Sequence, residues 1–317
     1  MKAITLKENG SSDKLVIKEV PIPTLQPHEV LVKTRALSIN PIDGFVRQHE
    51  QAMQRFLQPK PGEDIIIGWD IAGTVVELGA QVTGFQKGDE VFGMVNFMGH
   101  GKAYAEYVAA SEDHLALIPS NISPEEAAAA TLAALTAWQA LVTYANVKKG
   151  DRVLIHAAAG GVGHYAVQLA KHLGAYVIGT GSAANEAFVR SLGADEYIDY
   201  TREQFEDRIN NADIVIDSQF GDHILRSLDT VKEGGIAISL IAYFEGAIAE
   251  KAREKKVRTH RLSVVSSGED MKQIAALLEK GILHSYISTR YHFEEVPAAH
   301  DNIAAGKTRG KMVIQMN

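Results

Sequence analysis

The 317-residue chain contains no cysteine. That excludes disulfides, thiolate nucleophiles and thiolate metal ligands together. It also lacks any apolar run approaching the roughly 18–20 residues that span a bilayer. Its opening, Met1-Lys2-Ala3-Ile4-Thr5-Leu6-Lys7-Glu8, reads as a charged strand and not as a signal peptide. A positive balance is missing too. Lys and Arg number 32 against 39 Asp and Glu, a net charge of -7, which argues against a nucleic-acid or acidic-membrane surface. Internal repeats, low-complexity runs and long linkers are absent. What remains is an ordinary globular balance, 46% apolar and 22% charged, in a chain with room for about two domains and a large core. The cytoplasm is the expected compartment.

The most informative stretch is 152–163. An apolar run, Arg152-Val153-Leu154-Ile155, leads through His156 into Ala157-Ala158-Ala159-Gly160-Gly161-Val162-Gly163. Val162, Ala166, Leu169, Ala170 and Leu173 then recur at helical spacing. A second apolar run at 176–180 completes a β-α-β unit. Glycines let the backbone approach a pyrophosphate, and a helix N-terminus offers it free N–H groups. Ala159, Gly160, Gly161, Val162 and Gly163 are therefore candidate cofactor contacts. The pattern is A-x-G-x-x-G, with Ala158 where the full motif has glycine. The competing reading is a glycine turn that only lets a helix pack on a sheet.

Residues 1–115 read as short strands with glycine turns, among them 30–36 and 71–79. Ser123-Pro124-Glu125-Glu126 is a helix start, with a capping serine, an N1 proline and acids in the first turn. Strands follow at 152–157, 175–180, 196–199, 213–217 and 235–241 with helices between them, which predicts a parallel sheet covered on both faces. Beyond about 260 a helix at 269–280 and strands at 286–293 and 311–316 are expected, the tail returning to the first domain.

Further signals lie along the whole chain: Asn40-Pro41-Ile42-Asp43 with Arg47, Gly68-Trp69-Asp70-Ile71-Ala72-Gly73, Tyr104-Ala105-Glu106-Tyr107-Val108, Leu135-Thr136-Ala137, Gln168-Leu169-Ala170-Lys171, Leu192-Gly193-Ala194-Asp195 and Arg309-Gly310-Lys311. With the glycine turn, this set resembles the zinc-independent quinone oxidoreductases, the zeta-crystallin-like branch of the medium-chain dehydrogenase/reductases. The resemblance implies an α/β fold of two parts. One is a GroES-like β-rich catalytic domain, 1–120 together with 261–317. The other is a Rossmann dinucleotide-binding domain with a doubly wound parallel sheet, 121–260. It implies hydride transfer between a nicotinamide cofactor and an electron-poor small molecule.

Zinc relatives carry a catalytic cysteine and histidine. This chain has Ser38-Ile39-Asn40-Pro41-Ile42-Asp43 in the first region and Trp69 where the histidine stands, and it lacks the structural-zinc cysteine loop. Its 12 histidines are scattered. No metal is expected. An NAD site of this fold places an acid at the end of the second strand, on the ribose 2′-hydroxyl. Here that end reads Thr180-Gly181-Ser182-Ala183-Ala184-Asn185, without one. The expected cofactor is NADP (NADPH), with Thr180, Ser182 and Asn185 at this end and Tyr200, which matches a family tyrosine, joining the 2′-phosphate site. Arg190 and Lys311 are its candidate cations. Ser182 and Asn185 read equally as caps of the next helix.

By resemblance, Asn40 stands beside the nicotinamide ribose or substrate and Thr136 near the cofactor. Ser218 and Leu240 follow the fourth and fifth strands, at the carboxyl ends where ligands sit. Asp43 and Arg47, four apart, pair on a helix or Asp43 caps it. Relatives often carry tyrosine two residues after the aspartate; Phe45 cannot donate its proton or hydrogen bond. Thr131 replaces a frequent proline. Phe45 and Trp69 form an aromatic acceptor pocket or pack in the core. The leading expectation is an NADPH-dependent reductase of quinones, enones or enals, acting as a homodimer. Alternatives are an enoyl-thioester reductase and a low-turnover NADPH-binding structural or redox-sensing protein.

Overall fold

The computed structural model describes residues 1–316. The chain divides into two units, Met1–Leu135 with the segment from Val265 onward, and Thr136–Val264. In the first, β1 (Lys2–Leu6) and β2 (Leu15–Glu19) form an antiparallel ribbon. β3 (Glu29–Ser38) is the spine of a larger sheet. It pairs antiparallel with β4 (Asp70–Leu78), which pairs with β5 (Glu90–Met94). β6 (Tyr107–Ser111) also pairs with β3, and β7 (Ala116–Leu117) with β5. At Gly73 a Cβ would lie 2.1 Å from the Lys33 carbonyl oxygen, so only glycine fits this crossing.

Helices α1 (Pro41–Gln48) and α2 (Glu50–Leu57) connect β3 to β4. α3 (Pro124–Ala129) begins at the expected cap. The Glu126 N–H donates to Ser123 Oγ at 3.2 Å, and the Ser123 N–H donates to the Glu126 carboxylate at 3.0 Å. Its alanines are buried, and their small size lets the helix lie close on β3 and β4.

α4 (Leu132–Trp138) and a π-helical segment, Gln139–Tyr144, precede the second sheet. Its strands are β8 (Arg152–Ile155), β9 (Tyr176–Gly181), β10 (Glu196–Asp199), β11 (Ala212–Asp217), β12 (Val231–Ser239) and β13 (Arg258–Arg261). All pair parallel, in the order β10-β9-β8-β11-β12-β13. The strand order reverses between β8 and β11, the switch point of a doubly wound sheet. Its intervening helices are α5 (Gly161–His172), α6 (Glu186–Ser191), α7 (Phe205–Arg208), α8 (His223–Thr230) and α9 (Gly246–Glu254). α5 is buried continuously from Gly163 to Ala170, not on one stripe, because the π-helical segment packs against it as well as the sheet. β13 was not expected. Arg258-Thr259-His260-Arg261 has no apolar alternation, and its edge position needs none, since one neighbour, β12, sets its register.

The chain then returns to the first unit through α10 (Gly268–Glu279), β14 (Ile287–His292), α11 (Val296–Ala304) and β15 (Lys311–Gln315). β15 pairs antiparallel with β3, Val313 opposite Ser38, and parallel with β14. That pairing brings Lys311 beside the carboxyl end of β3.

Candidate active site

In the second unit the turn after β8 is held by its own backbone. Ala158 N–H donates to the Thr180 carbonyl at 3.0 Å and Gly160 N–H to that of Ala157 at 2.8 Å. The left-handed residue is Ala157, at φ +49°, and Ala158 is wholly buried. The strain that glycine would relieve has moved one position upstream, which is how alanine stands in the motif's first place. Gly163 is obligatory: a Cβ there would lie 2.2 Å from the Ala157 carbonyl oxygen. Gly160 caps α5 and puts no side chain over its end. The first-turn N–H groups of Gly161, Val162 and Gly163 have no acceptor within the helix. Such an end fits a diphosphate.

The end of β9 is equally close-built. A Cβ at Gly181 would meet Tyr197 Oη at 2.4 Å, and that hydroxyl donates to the Ser182 carbonyl at 2.6 Å. Asn185 Nδ2 lies 3.5 Å from Ser182 Oγ, and Tyr200 N–H donates to the Gly181 carbonyl at 3.2 Å. Ser182, Asn185 and Tyr200 are thus gathered round one strand end, with the Tyr200 side chain exposed. At the ends of β11 and β12, Leu240 N–H donates to the Asp217 carbonyl at 2.9 Å, which aligns Ser218 and Leu240. Thr136 is buried in α4.

Beneath these strand ends lies a group the sequence did not reveal. Ser227 Oγ, on α8, donates to Asp217 Oδ2 at 2.7 Å and stands 3.1 Å from His156 Nε2. His223 Nδ1 lies 2.8 Å from the same Asp217 oxygen. His156 Nδ1 meets Thr180 Oγ1 at 3.0 Å. Burial pushes the His156 imidazole down to about 3, so it is neutral at ordinary pH.

In the first unit, Asn40 lies two residues beyond β3, at the N-cap of α1, and is buried. Its Nδ2 donates to Asp70 Oδ2 at 2.7 Å, its Oδ1 accepts from Lys311 Nζ at 2.5 Å, and its N–H donates to Asp43 Oδ2 at 2.8 Å. Lys311 Nζ also reaches the Ile39 carbonyl at 3.0 Å and lies 3.8 Å from Asp70. Tyr104 Oη donates to Asp43 Oδ2 at 2.9 Å, while Asp43 Oδ1 is buried without a partner. Burial, added to by the neighbouring Asp70, pushes the Asp43 carboxyl up to about 7 against the opposing pull of the Asn40 N–H. Burial also raises Asp70 and lowers Lys311. Two carboxyls share one ammonium, and Asp43 is the one placed to hold a proton.

The Alcohol dehydrogenase GroES-like domain matches residues 26–120, and the Zinc-binding dehydrogenase family matches 192–314. The chain is 35% identical over 328 residues to 2-methylene-furan-3-one reductase of Solanum lycopersicum, covering 99% of this chain and 79% of that protein. Among solved structures it is similar to the quinone oxidoreductase from Coxiella burnetii, with a TM-score of 0.92 and 37% identity over 100% of this chain and 99% of that one. It is also similar to the Escherichia coli quinone oxidoreductase complexed with NADPH, with a TM-score of 0.87 and 26% identity over 99% and 100%. The chain belongs to the medium-chain dehydrogenase/reductase family. Within it the chain stands with the quinone oxidoreductases, and it is an oxidoreductase.

Against the family pattern several expectations change. Asp43 and Arg47 do not pair. Asp43 takes the Asn40 N–H at the start of α1, while Arg47 Nη1 donates to the Gly10 carbonyl at 2.5 Å and its Nε to His300 Nδ1 at 3.3 Å. Trp69 is wholly buried, its Nε1 donating to the Gly99 carbonyl at 2.9 Å and its ring edge-on to Phe97. It has no surface to offer a substrate. Phe45 is half exposed and lies against His49, not Trp69. Lys311 is committed to Asn40 and Asp70, so its ammonium is not available to a 2′-phosphate. Arg190 is tied to Glu186 at 2.8 Å. Arg202, two residues beyond Tyr200, is largely exposed and lies 3.5 Å from Asp199. Thr131 is buried, its hydroxyl donating to the Ala128 carbonyl at 2.7 Å, a bond proline could not make.

Proposed function

We propose that the chain is an NADPH-dependent reductase of quinones and of C=C bonds conjugated to a carbonyl, working without a catalytic zinc ion. The observation that carries this reading is the N-terminus of α5, free of any capping side chain, beside a β9 end whose own residues 180–185 include Ser182 and Asn185 and no acid, while the neighbouring Asp199 of β10 is engaged by Thr201 and Arg202. Support for the cofactor comes from the similar Escherichia coli enzyme, which is known in complex with NADPH. The acceptor class follows the names of its relatives. A quinone and a methylene-furanone share a C=C bond polarised by a carbonyl, so both accept hydride.

When bound, NADPH supplies the hydride from its nicotinamide ring. The chain's residues hold and orient it. Ala159, Gly160, Gly161, Val162 and Gly163 offer backbone N–H groups to the pyrophosphate. Ser182, Asn185 and Tyr200 donate to the 2′-phosphate, Thr180 shapes that strand end from within, and Ser218, Leu240 and Thr136 border the remaining length. Asn40, locked at both ends of its amide, positions the nicotinamide ribose or the acceptor, and Phe45 supplies an apolar wall. Without a phenol at 45, the proton that completes reduction of the acceptor comes from water. Metal chemistry is disfavoured by the donor set itself: no thiol exists, Trp69 occupies the histidine position, and Asp43 and Asp70 are engaged in hydrogen bonds. The domain assignment proposed is 1–120 with 261–317 for catalysis and 121–260 for the dinucleotide. The enzyme is taken as a cytoplasmic homodimer, the commonest closed assembly.

The test is NADPH oxidation across a panel of quinones, enones, enals and enoyl thioesters. Turnover with quinones or enones that survives prolonged chelation is expected. Turnover confined to enoyl thioesters, or abolished by chelation and restored by zinc, would refute the reading.

A further inference from the structure

His156, Asp217 and His223 come from three elements: the residue after β8, the last residue of β11 and the first turn of α8. Their ligating atoms all lie within 4.8 Å of one another, the one such group among the described residues. Ser227 Oγ adds a fourth donor, 2.7 Å from Asp217 Oδ2, 3.1 Å from His156 Nε2 and 3.4 Å from His223 Nδ1. In a tetrahedral zinc-type site with bonds of about 2.0–2.1 Å, ligand atoms stand about 3.3 Å apart. Four of the six separations, from 2.7 to 3.4 Å, lie at or just inside that value, and the other two, from His156 to Asp217 and to His223, stay within 4.8 Å, so His156 has to close in to complete the tetrahedron.

We propose that His156, Asp217, His223 and Ser227 form a binding site for one borderline divalent cation of the zinc class, separate from the reacting centre. Two imidazoles and one carboxylate suit such ions, whereas magnesium and calcium prefer all-oxygen sets. The outer partners a metal site requires are in place. Thr180 Oγ1 faces His156 Nδ1 at 3.0 Å and, as a hydroxyl, accepts the Nδ1 proton when Nε2 turns to the metal. Gln219 N–H holds Asp217 Oδ1 at 2.8 Å, leaving Oδ2 for the ion. Phe205 packs against both imidazoles and walls the site. Asp217 is fully buried, but the His223 side chain is 21% exposed and gives the ion a way in. Seated there, the ion ties β8, β11 and α8 together immediately before the turn at 157–163.

The test uses tag-free full-length protein, stripped with a chelator and dialysed. Cobalt(II) is titrated in and followed by visible absorption, and zinc is titrated by calorimetry. One equivalent is expected, with the strong visible bands of four-coordinate cobalt and a raised Tm. His223→Gln, at a part-exposed position that tolerates change, should abolish uptake, as should Asp217→Asn. Thr180→Val, which removes only an outer partner, should weaken zinc binding roughly 10–100-fold. If Asp217→Asn does not fold, His223→Gln alone decides. No uptake, uptake that survives His223→Gln, or the weak spectrum of six-coordinate cobalt would each overturn the proposal.

Discussion

Around Asn40 the first unit buries two carboxyls and one ammonium and leaves Asp43 Oδ1 without a partner. At the ends of β8, β9 and β11 the second unit buries His156, Thr180, Ser227 and Asp217, and each finds a hydrogen bond. One cluster sets two carboxyls against one ammonium and is balanced only while Asp43 keeps its proton. The other carries a single carboxylate surrounded by neutral donors. Charge in a dry site is costly unless paired, so the first cluster should be the more sensitive to loss of one member. The comparison also separates two tasks. The charged cluster fixes one amide, Asn40, from both ends. The neutral one anchors three strand ends that carry the proposed cofactor contacts.

The largest expected effect is therefore at Lys311. Lys311→Met leaves Asp70 and the Asn40 carbonyl facing an apolar side chain, and breaking a buried pair in this way costs about 3–5 kcal/mol. Urea unfolding at neutral pH should show this loss, and Asp70→Asn in the same background should restore part of it. Equal losses for Lys311→Met and the double variant would mean that the two groups are not coupled. Next is Gly163→Ala, whose Cβ would meet the Ala157 carbonyl oxygen at 2.2 Å. Overpacking costs about 1–3 kcal/mol, and the turn must shift, so NADPH binding should fall more than stability does. Retained NADPH affinity, measured by fluorescence quenching, would remove the turn from the site.

The two clusters should also answer pH in opposite directions. Asp43 is pushed up to about 7 from an ordinary 3.8. Between those values the folded chain holds a proton that the unfolded chain has released, so its contribution to stability is full below about 4 and is lost as pH rises through 7. His156 is pushed down to about 3 from 6.5. Its contribution is full above about 6.5 and is lost as pH falls towards 3, and His300, also near 3, adds to that limb. Both act in the same window, so Tm should rise more steeply between about pH 4 and 7 in Asp43→Asn and less steeply between about pH 3 and 6.5 in His156→Gln. The reverse assignment would break the comparison.

How much of this was legible follows from sequence distance. The glycine turn, the acid-free strand end and the Ser123 cap are each written within about a dozen consecutive residues, and local chemistry identifies them. The charged cluster joins residues 40, 43, 70, 104 and 311, and strand pairings between distant segments, β3 with β4 for Asp70 and β15 with β3 for Lys311, bring its members together. The i,i+4 spacing of Asp43 and Arg47 suggested a pair, but tertiary partners outbid the local one. Asp217, His223 and Ser227 lie close together in sequence, but His156 joins them only through the parallel pairing of β8 with β11, which no local spacing announces. Trp69 misled for a different reason: its position in a motif says nothing about which way its ring faces.

The smaller effects concern cofactor choice. Ser182→Asp places a carboxylate where a 2′-phosphate is expected, and this should cost NADPH on the order of 1–3 kcal/mol while leaving NADH nearly unaffected. An unchanged NADPH affinity would put the phosphate elsewhere, with Arg202 the first place to look.

The smallest effect is expected at Tyr200, where the side chain is 61% exposed. Its backbone N–H is already used by the Gly181 carbonyl, so Tyr200→Phe leaves the strand end intact and removes only the hydroxyl. A hydrogen bond to a charged group is worth about 1.5–3 kcal/mol when well buried, and an exposed one belongs at or below the lower end of that range. NADPH should therefore bind roughly tenfold more weakly or less, and NADH, which has no 2′-phosphate, should bind as before. The two dissociation constants measured side by side decide it: an equal loss for both cofactors would make Tyr200 a stacking or packing residue and leave Ser182 and Asn185 as the phosphate's donors.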